Sequence, residues 1–166
     1  VVGYALDAAN HMRAFRWTQA DGMQDLGTLG GNDSVASGVS SDGGVVTGYA
    51  FNATGQYPAF RWTPLGGMQS LGTLGGNRSF PWANSDDGSV IVGYSAINAL
   101  DVLQAFRWTE SGGMVGLGTL GGNSSTASSV SADGSVVVGS ASNSRGDSHA
   151  FRWTQADGMQ DLGTLG

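Results

Sequence analysis

Two motifs return through this chain in lockstep. Ala-Phe-Arg-Trp-Thr begins at Ala14, Ala59, Ala105 and Ala150, and Leu-Gly-Thr-Leu-Gly begins at Leu26, Leu71, Leu117 and Leu162, both with spacings of 45, 46 and 45 residues. Residues 14–30 and 150–166 are identical at all 17 positions. Self-similarity at such a period restricts the chain to a repeat architecture, in which each copy is one supersecondary unit that buries its apolar surface against its neighbours. The copies run over approximately 1–31, 32–76, 77–122 and 123–166 and form a single repeat domain.

Within a copy, four strand-length runs are separated by turn residues. The second copy shows all four: Ser34–Ser40, Val45–Tyr49, Ala59–Thr63 and Met68–Leu74, designated strands A to D. Asp42-Gly43, Asp87-Gly88 and Asp133-Gly134 suit A–B hairpins, and Asp21-Gly22, Gly66-Gly67, Gly112-Gly113 and Asp157-Gly158 suit C–D hairpins, because these residues tolerate positive φ. Alternation along strand C puts Phe15 and Trp17 on one sheet face and Arg16 on the other, a pattern repeated in every copy. Eight such rings predict a repeated core. Glycine at Gly3, Gly48, Gly93 and Gly139 interrupts the Val-rich strand B and predicts a strand-C ring lying over it. Four antiparallel strands per copy and no helical periodicity predict an all-β fold, a β-propeller of four-stranded blades. A β-solenoid, the competing architecture, uses shorter rungs of parallel strands.

Composition narrows the function. Seven basic against 13 acidic residues leave a net charge of −6, which repels a phosphate backbone and argues against nucleic acid as a partner. There is no lysine, no cysteine and a single glutamate, Glu110, so disulfides and thiolate metal sites are excluded. The longest apolar runs, such as Val136–Val138, fall far short of the roughly 20 residues of a membrane-spanning helix. The chain opens within strand B on Val1-Val2-Gly3-Tyr4 and stops at Gly166 in mid-motif, which reads as an excerpt of a longer propeller. Three complete blades then follow one without its A strand. The expected consequence is a homodimer closing a larger ring, or dependence on flanking repeats.

The segment Ser148-His149-Ala150-Phe151-Arg152-Trp153-Thr154, with the Leu-Gly-Thr-Leu-Gly-Gly-Asn segments, resembles the HAF-repeat family of bacterial extracellular proteins, named for His-Ala-Phe. The likeness covers essentially the whole chain, although Arg13, Pro58 and Gln104 stand where the family has His. A looser similarity is to WD-repeat propellers, in the order of Leu71–Asn77, Asp87-Gly88 and Trp108-Thr109; Asn replaces that family's His and Thr its Asp, so its structural hydrogen-bond network does not transfer. The resemblance implies a propeller and an extracellular or cell-surface location. It assigns no reaction and no ligand.

Chemical signals are sparse. The only histidines, His11 and His149, fall in corresponding loops and have no repeated acidic partner in the sequence, so no catalytic residues are assigned and the chain is read as a non-enzyme; a hydrolase or lyase on a propeller fold is the weaker alternative. Arg16, Arg61, Arg107 and Arg152 read as structural, paired with turn aspartates or backbone carbonyls. Arg145-Gly146-Asp147 matches an integrin-recognition tripeptide but reads as turn chemistry, and the sequons at Asn32, Asn77 and Asn123 read as D–A turns, with that of Asn52 in a B–C loop. Asp and Asn in the B–C loops lack any calcium-loop spacing, so no metal and no cofactor is assigned.

What varies between copies is more informative. The B–C loops 5–13, 50–58, 95–104 and 141–149 differ freely, so a binding face belongs on the rim where B–C and D–A connections emerge. On that rim Arg78-Ser79-Phe80-Pro81-Trp82-Ala83-Asn84 replaces the small residues of its sister copies, and Trp82 alone of five tryptophans lies outside the strand C motif. The candidate ligand-binding residues are therefore Trp82, Arg78 and Phe80, with Tyr57 and Asn98 from B–C loops, an aromatic platform for a carbohydrate or a protein side chain. An exposed Trp82 ring is the condition for that reading; a buried one means it fills a gap between blades. The function expected is a non-enzymatic extracellular binding, adhesion or display module, with a mainly structural repeat scaffold as the alternative.

Overall fold

The computed structural model describes residues 1–165, which form fifteen strands in four antiparallel sheets. The first sheet holds β1 (Val2–Leu6), β2 (Met12–Thr18) and β3 (Gly22–Asp25). The second holds β4 (Gly30–Val39), β5 (Val46–Asn52), β6 (Ala59–Thr63) and β7 (Gly67–Gly72). The third holds β8 (Ser79–Asn84), β9 (Val90–Ala96), β10 (Leu103–Thr109) and β11 (Gly113–Gly116); the fourth holds β12 (Gly121–Val130), β13 (Val136–Asn143), β14 (Ser148–Thr154) and β15 (Gly158–Gly163). These are the predicted blades, three complete and the first lacking strand A. Sequence reading started strand A at Ser34, but β4 and β12 begin at Gly30 and Gly121, so Asn32 and Asn123 lie in strands rather than turns. Among the described residues no helix is long and apolar enough to cross a membrane.

The turns follow from glycine where positive φ is required. Gly43, Gly88 and Gly134 close the A–B hairpins at φ of 73, 67 and 73°. In each, the serine before the aspartate completes the turn: Ser40 Oγ donates to Asp42 at 2.6 Å and accepts the Val45 amide at 2.9 Å. Strand B glycines serve a close approach instead. A Cβ on Gly48 would lie 2.0 Å from the Val35 carbonyl oxygen of strand A and 2.8 Å from the Phe60 ring, and Gly139 is hemmed in alike by Thr126 and Phe151. The predicted ring over strand B is there, with the inner strand crowding it as well.

Blades pack in chain order, with the A strands β4, β8 and β12 side by side at the centre. The Phe/Trp face of the second, third and fourth blades meets the blade before it, as where Phe60 and Trp62 pack with Ala14 and Leu26. The arginine face meets the blade after it: Arg16 lies 6.0 Å over the Trp62 ring and donates from Nε to the Gly43 carbonyl at 2.9 Å, while Arg107 lies 5.8 Å over Trp153. A buried serine bolts each joint. Ser34, Ser79 and Ser125 accept the amides of Ala14, Ala59 and Ala105 at 2.9, 2.7 and 2.9 Å, and each donates to a carbonyl of the preceding linker.

One expectation about the core needs correction. Phe60, Trp62, Phe106 and Phe151 are buried, but Phe15 is only half-buried and Trp17 is 43% exposed. Their face is the one that no blade covers, because the four sheets form an open row rather than a closed ring.

Candidate functional site

The inner strand of the third blade is where the repeat departs most from itself. All three inner strands carry a β-bulge at one position, between Ala36 and Gly38, between Pro81 and Ala83, and between Ala127 and Ser129. The bulged residue is Ser37 in the second blade, Ser128 in the fourth and Trp82 in the third. A bulge re-aims its side chain out of the pleat, and the Trp82 ring is 61% exposed. Pro81 is accommodated because β8 is an edge strand of its sheet.

Around Trp82 the second and third blades assemble a continuous aromatic patch. Trp82 meets Tyr94 edge-on with centroids 6.1 Å apart, Tyr94 leans on Phe80 at 5.4 Å, and Phe80 contacts Tyr49 at 4.7 Å and Tyr57 at 5.6 Å. Phe51 stacks on Tyr57 at 5.1 Å. Such edge-to-face and offset pairs fix ring orientation beyond what burial alone provides. Burial pushes the Tyr49 phenol above its ordinary value, with Tyr4, Asp33 and Tyr94 adding to the shift, so the hydroxyl stays protonated at neutral pH.

The sequence named Trp82, Phe80, Tyr57 and Arg78, and the structure brings these four together. Arg78 sits 5.9 Å over the Phe80 ring, but its guanidinium is engaged by Asp101, with Nε donating at 2.6 Å and a second contact through Nη2. That hydrogen bond is the chief reason its pKa is raised. Arg78 thus pins the loop between β9 and β10 to the patch. Asn98 acts within the loop itself, where its Oδ1 accepts the Leu100 and Val102 amides at 3.0 and 3.4 Å and sets the loop's shape. Sequence reasoning missed Tyr49, Phe51 and Tyr94. The signal was a tyrosine following the strand B glycine at Tyr4, Tyr49 and Tyr94.

Asn98 belongs to a series. Asp7, Asn52 and Asn143 occupy the same place in the other B–C loops and accept amides two and four residues on; for Asn143 these are Arg145 and Asp147 at 2.8 and 3.0 Å. Arg145-Gly146-Asp147 is thereby built into an Asx-closed loop. The variable loops therefore share a fixed scaffold.

Each histidine has an acidic neighbour, but from a different repeat position, so no His–acid pair is repeated. His11 lies 3.5 Å from Asp7, and His149 Nδ1 is 2.9 Å from Asp161 while its Nε2 meets Asn143 at 3.2 Å. Asp161 comes from strand D, where Asp25 pairs with Arg13 at the equivalent position, so this is a cross-strand slot filled by Arg in one copy and His in another. Both ring nitrogens of His149 are engaged by neighbouring side chains. Among the described residues no group of three or more His, Asp or Glu is placed to hold a metal ion.

No family model matches the chain, and no curated protein matches it. Solved structures do. A protein assigned as TolB from Agrobacterium tumefaciens superposes with a TM-score of 0.66 at 14% identity over 98% of this chain, and TolB from Acinetobacter baumannii with 0.65 at 14% over 98%. The chain spans 61% and 40% of those two proteins. At this identity the likeness establishes the fold alone: the chain is an all-β propeller structure of antiparallel blades.

Proposed function

We propose that the chain is a HAF-repeat propeller segment that works outside the cytoplasm, extracellularly or at the cell surface, as a non-enzymatic binding or display module. The ligand surface is the patch of Trp82, Tyr94, Phe80, Tyr49 and Tyr57. Its ligand is the apolar face of a sugar ring or a flat protein side chain, which stacks on exposed aromatic rings while phenol hydroxyls supply hydrogen bonds. The other partner in this reading is a second copy of the chain, forming a larger ring. The observation that carries the reading is the bulge at which two sister blades present serine and this one presents a tryptophan with most of its ring in solvent.

The test is Trp82→Ser, which installs the sister residue. Screened on a glycan array and by pull-down with surface proteins, the wild type should bind and the variant should lose at least tenfold in affinity, about 1.4 kcal/mol. Its unfolding midpoint should stay in place. A wild type with no ligand, or a variant that binds equally well, would favour the purely structural scaffold.

A further inference from the structure

The strand C arginine is served differently from copy to copy. Arg16 and Arg152 lie 3.8 and 3.7 Å from Asp21 and Asp157, the aspartates of their own C–D turns, and Arg16 Nε also donates to the Gly43 carbonyl. In the second and third copies glycine, Gly66 and Gly112, stands where those aspartates do. Arg61 and Arg107 accordingly have no carboxylate partner among the described residues, and the Nε of each is buried without a hydrogen bond. Arg107 keeps one contact, 3.4 Å from Nη2 to the Gly134 carbonyl. An unpaired donor on a half-buried cation is costly, so both positions favour an incoming anion.

The two arginines line one cavity of about 650 Å³, whose walls come entirely from the three complete blades. Trp108 supplies an apolar wall, and Thr109 and Ser111 add hydroxyls. Asp87, Glu110 and Asp133 also border it. Asp87 and Asp133 are engaged by their own turns, accepting from Ser85 and Ser131 Oγ at 2.7 and 2.5 Å and from the Ser89 and Ser135 amides at 2.9 and 3.0 Å. Three carboxylates oppose a polyanion but suit a ligand with one anionic group surrounded by hydroxyls that donate to them. We propose that this cavity, on the rim opposite the variable loops, binds an acidic sugar: a uronate whose carboxylate is held by Arg61 and Arg107 and whose ring lies against Trp108. The site shares no residue with the aromatic patch and does not depend on it.

Titration of the 166-residue chain with D-glucuronate, D-glucose and acetate, followed by NMR at constant ionic strength, tests it. Glucuronate should give saturable shifts, and glucose and acetate should bind at least tenfold more weakly. Gly66→Asp/Gly112→Asp installs the aspartates of the first and fourth copies; neither glycine has a positive φ, so the side chain is tolerated. That variant should melt no lower than the wild type and lose glucuronate at least tenfold, because its own carboxylates occupy both guanidinium groups. Arg61→Gln/Arg107→Gln should lose it likewise, whereas Trp82→Ser should bind glucuronate as the wild type does. No saturable shift with glucuronate, glucose or acetate binding as tightly, full binding by the aspartate or glutamine variant, or a tenfold loss in Trp82→Ser would overturn the proposal.

Discussion

The stretch from Ala14 and the stretch from Ala150 have the same residues and form the same two strands, yet they are buried in opposite senses. In the first, Leu26 and Arg16 are covered by the second blade, while Phe15 is half-buried and Trp17 is 43% exposed. In the second, Phe151 is 1% exposed against the third blade, while Leu162 and Arg152 face outward. One sequence thus supplies both surfaces of a joint, and the neighbour decides which of them becomes core. For a repeat protein, burial is a property of position in the array, and a residue's contribution to stability follows its neighbours rather than its own identity.

Matched substitutions at equivalent positions sharpen this comparison. The largest difference is expected at strand B. Gly48→Ala would push a Cβ to within 2.0 Å of the Val35 carbonyl oxygen, and should cost about 5 kcal/mol or abolish folding. Gly3→Ala meets only the Phe15 ring at 3.3 Å, on a face with room to yield, and should cost less than about 1 kcal/mol. Equal costs in denaturant titration would mean that the neighbouring strand does not set the penalty.

Strand C comes next. Phe151→Ala should destabilise by about 3–5 kcal/mol, and Phe15→Ala, with the identical flanking sequence, by roughly 1–2. Smaller again is Ser79→Ala, which strips the partner from the Ala59 amide and the Gly72 carbonyl at a buried joint. About 1–3 kcal/mol is expected, and a loss near zero would show that the serine bolt is dispensable.

The smallest effect belongs to the A–B turns, which only the complete blades possess. The Ser85 hydroxyl is the main cause that holds Asp87 down to about 2, and Ser131 does the same for Asp133. A folded-state value below the ordinary 3.8 means that these turns contribute fully above the unfolded value and lose that contribution as pH falls toward 2. Asp87→Asn/Asp133→Asn should therefore reduce the drop in melting temperature between about pH 6 and pH 3 by roughly a degree or two, since exposed groups contribute modestly. An unchanged pH profile would place the acid sensitivity elsewhere.

The blade itself was legible in the sequence: strand order, turn positions, the missing first strand and the ring over strand B all follow from local periodicity and turn chemistry. So was the patch centred on Trp82, because it breaks a repeat that its sister copies keep. Burial at the ends was not legible, since nothing in Ala-Phe-Arg-Trp-Thr records whether a blade precedes it. Tyr49 and Tyr94 were passed over because they belong to a repeated motif, and repetition reads as structure even where the rings converge on a surface. Asp7, Asn52, Asn98 and Asn143 do keep a spacing of 45, 46 and 45. They escaped notice because Asp and Asn alternate inside otherwise unlike segments, while only their shared carbonyl-type oxygen matters for the loop.

That shared oxygen has an evolutionary corollary. A single Asp or Asn closes each B–C loop over its next four residues, so the loop's conformation is settled locally and owes little to the residues at its tip. Mutations can accumulate there without disturbing the blade, and whole loops become interchangeable between blades as cassettes of nine or ten residues. An engineer could randomise one loop around its fixed Asp or Asn and graft the product into any of the four sites.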